Sequence, residues 1–273
     1  MPFTTNLTGT AQVDSSILLA YDRGIIVAAG QAQIMEPFVS TKVEIGAKSI
    51  SFTKFGRIAP AVTPLTETED VTSVALSDSE ILLTPREYGM AVTKTNLASL
   101  QTGGKVDLAA ATLVGMNMGQ TMDALAIAAL LTSANVEASA TTGAQVDGQY
   151  TKLASKSIPM IDGAYTLLAN EAEIAVLRNE AGFTDVAKYA NAQAVLKNEV
   201  GFYKGHRVVR HQGVTAGTSI SFGGNALGKA VSQEAGMRLT AGGDKLGRFA
   251  HLGWYGVFVY GLVDSDAVEV LSV

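Results

Sequence analysis

The chain has 273 residues, with 20 lysines and arginines against 25 aspartates and glutamates, a formal net charge of −5, and no cysteine. Disulfides and thiolate metal sites are therefore excluded, and an acidic balance without any basic run argues against a surface built to grip phosphate backbones. Only 16% of the residues are charged while 47% are hydrophobic, against roughly 25% charged in an average soluble domain, so either partners cover much of the surface or the chain is poorly soluble alone. The length fits one large domain or two intimately connected ones.

Residues 1–13 are polar and threonine-rich and read as an extended arm, with no basic segment followed by an apolar run, so no signal peptide is expected. Residues 14–36 open on the capping-type Asp14-Ser15-Ser16 and carry helical apolar spacing broken by Gly24 and Gly30, which predicts one or two short helices ending before Pro37. Alternation then takes over in KSISFTKF and again in EILLTPREYGMAVTKT, residues 80–95. These two strand-like limbs bracket KFGRIAPAVTPLTETEDVTSVALSDSE, residues 54–80, which is extended in character and holds little to form a core. Residues 43–95 thus read as a long hairpin-like excursion.

Residues 105–133 hold no proline and are dominated by helix formers, which predicts one helix about 42 Å long. Asp107 and Asp123 are the charged residues between 106 and 133, so both sides of the helix are expected to be covered. Asp107, Asn117, Gln120 and Asp123 also make a membrane span too costly. Residues 134–157 read as a loop region. Beyond Pro159 come a strand at GAYTLLA, a helix at EAEIAVLRNE, a helical piece at DVAKYANAQAVLKN, and strands at KGHRVVRHQ and TSISF. The β-rich tail WYGVFVYGLVDSDAVEVLSV is expected to be tied into a sheet.

No constellation of catalytic residues emerges. GGNALGKA, residues 223–230, fits a phosphate-loop spacing, and VFVYGLVD ends on Asp264 like the acid that would serve the metal. Ala230 lacks the hydroxyl that magnesium needs, and too little chain follows for a nucleotide-binding parallel sheet, so a glycine-rich turn is the better reading. His206 and His211 fall five apart on one predicted strand, on opposite faces, and with His251 read as surface or partly buried polar residues rather than metal ligands. The carboxylate pairs Glu67/Glu69, Asp78/Glu80, Glu171/Glu173 and Asp264/Asp266 read as solvated or partner-facing charge, and Met116, Met118 and Met122 as helix packing. No enzymatic activity and no cofactor are expected.

The order of parts, arm, long hairpin, long helix and mixed domain, resembles the major capsid protein of tailed double-stranded DNA bacteriophages, the Hong Kong 97 fold. IDGAYTLLANEAEIAVLRNEAGF (161–183, with Leu177-Arg178), KNEVGFYKGHRVV (197–209, with Gly201, Gly205 and Val208-Val209) and SISFGGNALGKAV are similar to that family's local patterns. The resemblance implies an α+β fold with an N-terminal arm (1–41), an E-loop (42–96), a peripheral domain with a spine helix (97–157, the helix at about 104–133), an axial domain (158–250), and a return to the peripheral sheet (251–273). It implies self-assembly into hexamers and pentamers of an icosahedral head shell, put together in the bacterial host cytoplasm and ending in the virion. Scaffolding and portal proteins would be partners, a decoration protein is left open, and DNA would be enclosed without sequence-specific binding.

On this reading Lys54, Arg57, Glu67, Glu69, Asp70, Arg86 and Glu87 are the candidate inter-subunit contacts. Lys48 and Lys54 are, by location, the candidate donors should a covalent Lys-Asn cross-link form. The alternative from another class is a mixed α/β ligand-binding protein or enzyme whose hairpin serves dimerisation. A different structural phage protein, such as a tail-tube or decoration subunit, is a further alternative.

Overall fold

The computed structural model describes residues 33–56, 58–65, 67–68, 70–71, 73–102, 105–185, 198–241, 246 and 248–273. The extended arm, all but the end of the helices expected over 14–36, most of the helical piece expected over 185–198, and the contact candidates Arg57 and Glu69 lie outside the described residues.

In chain order, a single 3₁₀ turn at Glu36–Phe38 leads into β1 (Val39–Val43). Next come β2 (Ile50–Phe55), β3 (Asp78–Leu83) and β4 (Arg86–Thr95). The short helix α1 (Asn96–Gln101), whose N-terminus is capped by Thr95, precedes the long helix α2 (Lys105–Leu130). Then follow β5 (Val136–Ala138), α3 (Gly143–Ser155), β6 (Tyr165–Ala169), α4 (Glu171–Arg178), β7 (Thr184–Asp185), β8 (Glu199–Tyr203), β9 (His206–Arg210) and β10 (Thr218–Phe222). The long strands β11 (Leu227–Ala241) and β12 (Phe249–Leu262) and the terminal β13 (Val268–Ser272) complete the chain.

These strands form a four-stranded sheet in the order β1-β11-β12-β4, a seven-stranded sheet in the order β5-β13-β10-β6-β9-β8-β7, and the two-stranded hairpin β2-β3. Helix α2 lies on the four-stranded sheet. Its Ala110, Val114, Met118, Met122, Ala126 and Leu130 are buried at near three-to-four-residue spacing in one core with Leu252, Trp254 and Phe258 of β12. Trp254 Nε1 donates to Asn117 Oδ1 at 3.0 Å, fixing the helix along the strand. The same core continues into Leu168, Val209, Ile220 and Phe222 of the seven-stranded sheet.

The hairpin is seated on the four-stranded sheet through two glycines. A Cβ on Gly261 would run into the Leu83 side chain, and one on Gly228 would fall 2.6 Å from a Val263 methyl and 3.0 Å from the Phe52 ring. Backbone without side chains at these points lets Ile50 and Phe52 bury against Ala230. Lys54 of β2 pairs with Asp264 at 2.6 Å beside this seat.

Four expectations need correction. Residues 134–157 are not a loop region: α3 covers the seven-stranded sheet with Val146, Gln149 and Leu153 buried at helical spacing. The limb over 80–95 is two strands, because Thr84-Pro85 separates β3 of the hairpin from β4 of the four-stranded sheet. The stretch 227–241, expected in the same unit as β6 and β10, belongs to the four-stranded sheet, while β12 of the tail lies there too but β13 sits inside the seven-stranded sheet. The last concerns α2: among the described residues only one side is covered, and Leu108, Leu113 and Met116 are exposed on the other.

Candidate functional site

The first half of the glycine-rich 223–230 stretch, residues 223–226, is a turn between two sheets, and the rest opens β11. Gly223 and Gly224 donate their amides to Ala267 O and Pro159 O at 3.0 and 2.7 Å, and Asn225 takes the left-handed conformation at φ 62°. Lys229, which would have faced a phosphate, is buried in β11, where it pairs with Glu36 at 3.1 Å and lies over the Tyr260 ring. Among the described residues no group of three or more His, Asp and Glu could hold a metal ion, and no helix is long and apolar enough to cross a membrane.

His206 and His211 do face opposite ways, but both are buried rather than at the surface, since each sits where strand β9 meets a packed neighbour. His206 is enclosed by the Tyr150 and Tyr165 rings and its Nδ1 lies 3.2 Å from Lys204 O, which fixes the proton there. Burial lowers its pKa from 6.5 to about 4. His211 Nδ1 accepts the Gly213 amide at 2.9 Å, so its Nε2–H donates to Asp123 at 3.1 Å.

Asp123 is the charge that a nearly uncharged helix carries into the interior. Beyond His211 it accepts the amides of Ile34 and Met35 at 2.8 and 3.0 Å, so three donors converge on one buried carboxylate. The sequence signal was present, a lone acid at the middle of an apolar helix, but its partners lie 88 and 89 residues away. Burial also pushes the neighbouring Tyr260 phenol well above its usual range.

The hairpin is the other singular feature. Between β2 and β3, Ile58, Val62, Leu65, Val71, Val74 and Leu76 are all exposed, Val62 at 84%. A monomer rarely leaves such a run of apolar side chains uncovered. Glu67 and Asp70 are exposed in the same segment, and the Asp70 carboxylate accepts the adjacent Val71 amide at 2.8 Å. Arg86 and Glu87 are exposed at the start of β4, with Glu87 in reach of the Tyr255 hydroxyl. Lys54 is half-buried at the hairpin seat, paired within its own chain with Asp264. The candidates among the described residues thus do not gather into one cleft; they are strung along the hairpin and its base. The pairing of Asp264 with Lys54 carries no signal in the sequence, whereas valines and leucines alternating with prolines and threonines are the visible signal of the apolar tip.

No family model and no curated protein matches the chain. Among solved structures, the capsid of Ralstonia phage GP4 is similar with a TM-score of 0.71 at 11% identity, over 88% of this chain and 90% of that one. The head structure of Helicobacter pylori bacteriophage KHP40 matches with a TM-score of 0.65 at 10% identity, over 88% and 90% of the two chains. The virus-like particle from Pyrococcus furiosus matches with a TM-score of 0.61 at 13% identity, over 94% and 99%. The chain has the α+β fold of phage major capsid proteins, the Hong Kong 97-type architecture that the order of its parts implied.

Proposed function

We propose that this chain is the major capsid protein of a bacteriophage head, a subunit whose work is contact with copies of itself. The observation that carries this is the hairpin of residues 50–83: it stands on the capsid fold, and its distal apolar side chains find no core among the described residues of their own chain. Laid across a neighbouring subunit it would gain that core, with affinity from apolar contact and register from Glu67, Asp70, Arg86 and Glu87 together with Arg57 and Glu69. The uncovered side of α2, with Leu108, Leu113 and Met116, is a second surface of the same kind.

On this reading the four-stranded sheet with α2 is the peripheral unit and the seven-stranded sheet with α3 and α4 the axial one. The subunits form hexamers and pentamers that close an icosahedral shell, assembled in the host cytoplasm with scaffolding and portal proteins and retained in the virion. The role is structural rather than catalytic, and the net charge of −5 suits an interior along which packaged DNA slides without sequence-specific grip. Light scattering on the purified full-length chain tests this: megadalton particles are expected, and a stable dimer with no larger species would return the hairpin to the role of a dimerisation arm.

A further inference from the structure

The segment Gln33–Phe38 is packed where both sheets and the long helix meet. Ile34, Met35 and Phe38 are buried in the shared core, Met35 at 1% exposure. Phe38 sets its ring edge-on to Phe222 of the seven-stranded sheet, centroids 5.5 Å apart. Two charged anchors hold the segment from different sides. From α2, Asp123 accepts the Ile34 and Met35 amides while also accepting His211 Nε2–H from the end of β9. From β11, Lys229 pairs with Glu36, whose other oxygen accepts from Gln33 at 2.8 Å.

We infer that Gln33–Phe38 is a wedge that locks the seven-stranded sheet to the long helix, with Asp123 as the positioning residue that joins the two. One carboxylate satisfies donors from the segment and from the sheet at once, so neither can leave without stranding a buried charge. Residues 1–32 precede the wedge in the chain, and a pull that reaches Gln33 is delivered to the junction between helix and sheets. The arm's root and the angle between the sheets become one mechanical element. Its use in a shell, where an arm would be engaged by neighbours, rests on the function proposed above; the lock itself does not.

Asp123→Asn keeps the size of the side chain but replaces one acceptor oxygen with an NH₂ that faces donors. Amide hydrogen exchange on the dissociated full-length subunit reads the result. Ile34 and Met35 should exchange roughly tenfold faster or more, and Gly213 and Val214, whose amides bond back to His211, should accelerate with them, while residues 254–260 of β12 keep their protection. Unchanged exchange at Ile34 and Met35 would overturn the proposal, as would acceleration there with none at 213–214, which would make Asp123 a local anchor only. Lys229→Gln, which removes the second anchor, must show the same joint acceleration, and it carries the test by itself should Asp123→Asn not fold. Particle formation is scored separately by electron microscopy, so loss of the lock and loss of the capsid reading remain distinct results.

Discussion

His206 makes folding stability sensitive to mild acid. Its side chain is fully buried between Tyr150 and Tyr165, and Nε2 has no hydrogen-bond partner, so a second proton would be a desolvated charge with nothing to receive it. In the folded chain the imidazole stays neutral down to about pH 4, whereas the unfolded chain binds that proton below about 6.5. Between these values the unfolded state holds more protons, so stability rises with pH; the contribution is complete above about pH 6.5 and is lost as pH falls toward 4. A gap of that size corresponds to about 3 kcal/mol. Urea unfolding of the dissociated subunit at pH 7 and pH 4 measures it, with His206→Phe as the reference that fills the same space without titrating. The parent should lose about 3 kcal/mol more than His206→Phe over this interval. Equal losses for the two proteins would refute the reasoning, because carboxylates elsewhere titrate alike in both.

Met35→Ala empties a site of 1% exposure at the centre of the shared core and should lower stability by about 2–4 kcal/mol in thermal or urea unfolding. Gly253→Ala would drive a Cβ into Met90 O of the adjoining strand; separation of β4 from β12 should then appear as fast amide exchange over 88–93 with β6 and β10 unaffected. Charge reversal at Glu67 and Glu69 together should abolish or deform shells without changing the helical circular dichroism of the subunit, and normal shells from that variant would remove these acids from the contact. Residues 57–80 should be cut readily by protease in the subunit and resist it in the assembled particle; equal sensitivity in both would leave the hairpin tip without a covering neighbour.

The long helix and the hairpin were legible because each is written in local pattern: an apolar run without proline, and two alternating limbs about a segment with no core of its own. Residues 134–157 were harder. Alanine, threonine and serine dominate their composition and Gly143 and Gly148 interrupt it, yet Val146, Gln149 and Leu153 are the buried face of α3, and that spacing was the signal to weigh. The partition of strands between sheets is not a local property at all. Only Gly223 through Ala226 separate β10 in one sheet from β11 in the other, and nothing in TSISF or LGKAV says which neighbour each will find. Asp123 shows the same limit at the candidate site, since a single acid in an apolar helix announces a partner without naming Ile34, Met35 or His211.

The central claim, that the chain builds a shell in which each hairpin is completed by another copy, is tested most directly by cryo-electron microscopy of the purified full-length protein. Closed icosahedral particles are predicted, with residues 56–77 ordered against an adjoining subunit and the exposed valines and leucines of that segment buried. Discrete small oligomers, or shells in which that segment touches no neighbour, would contradict it.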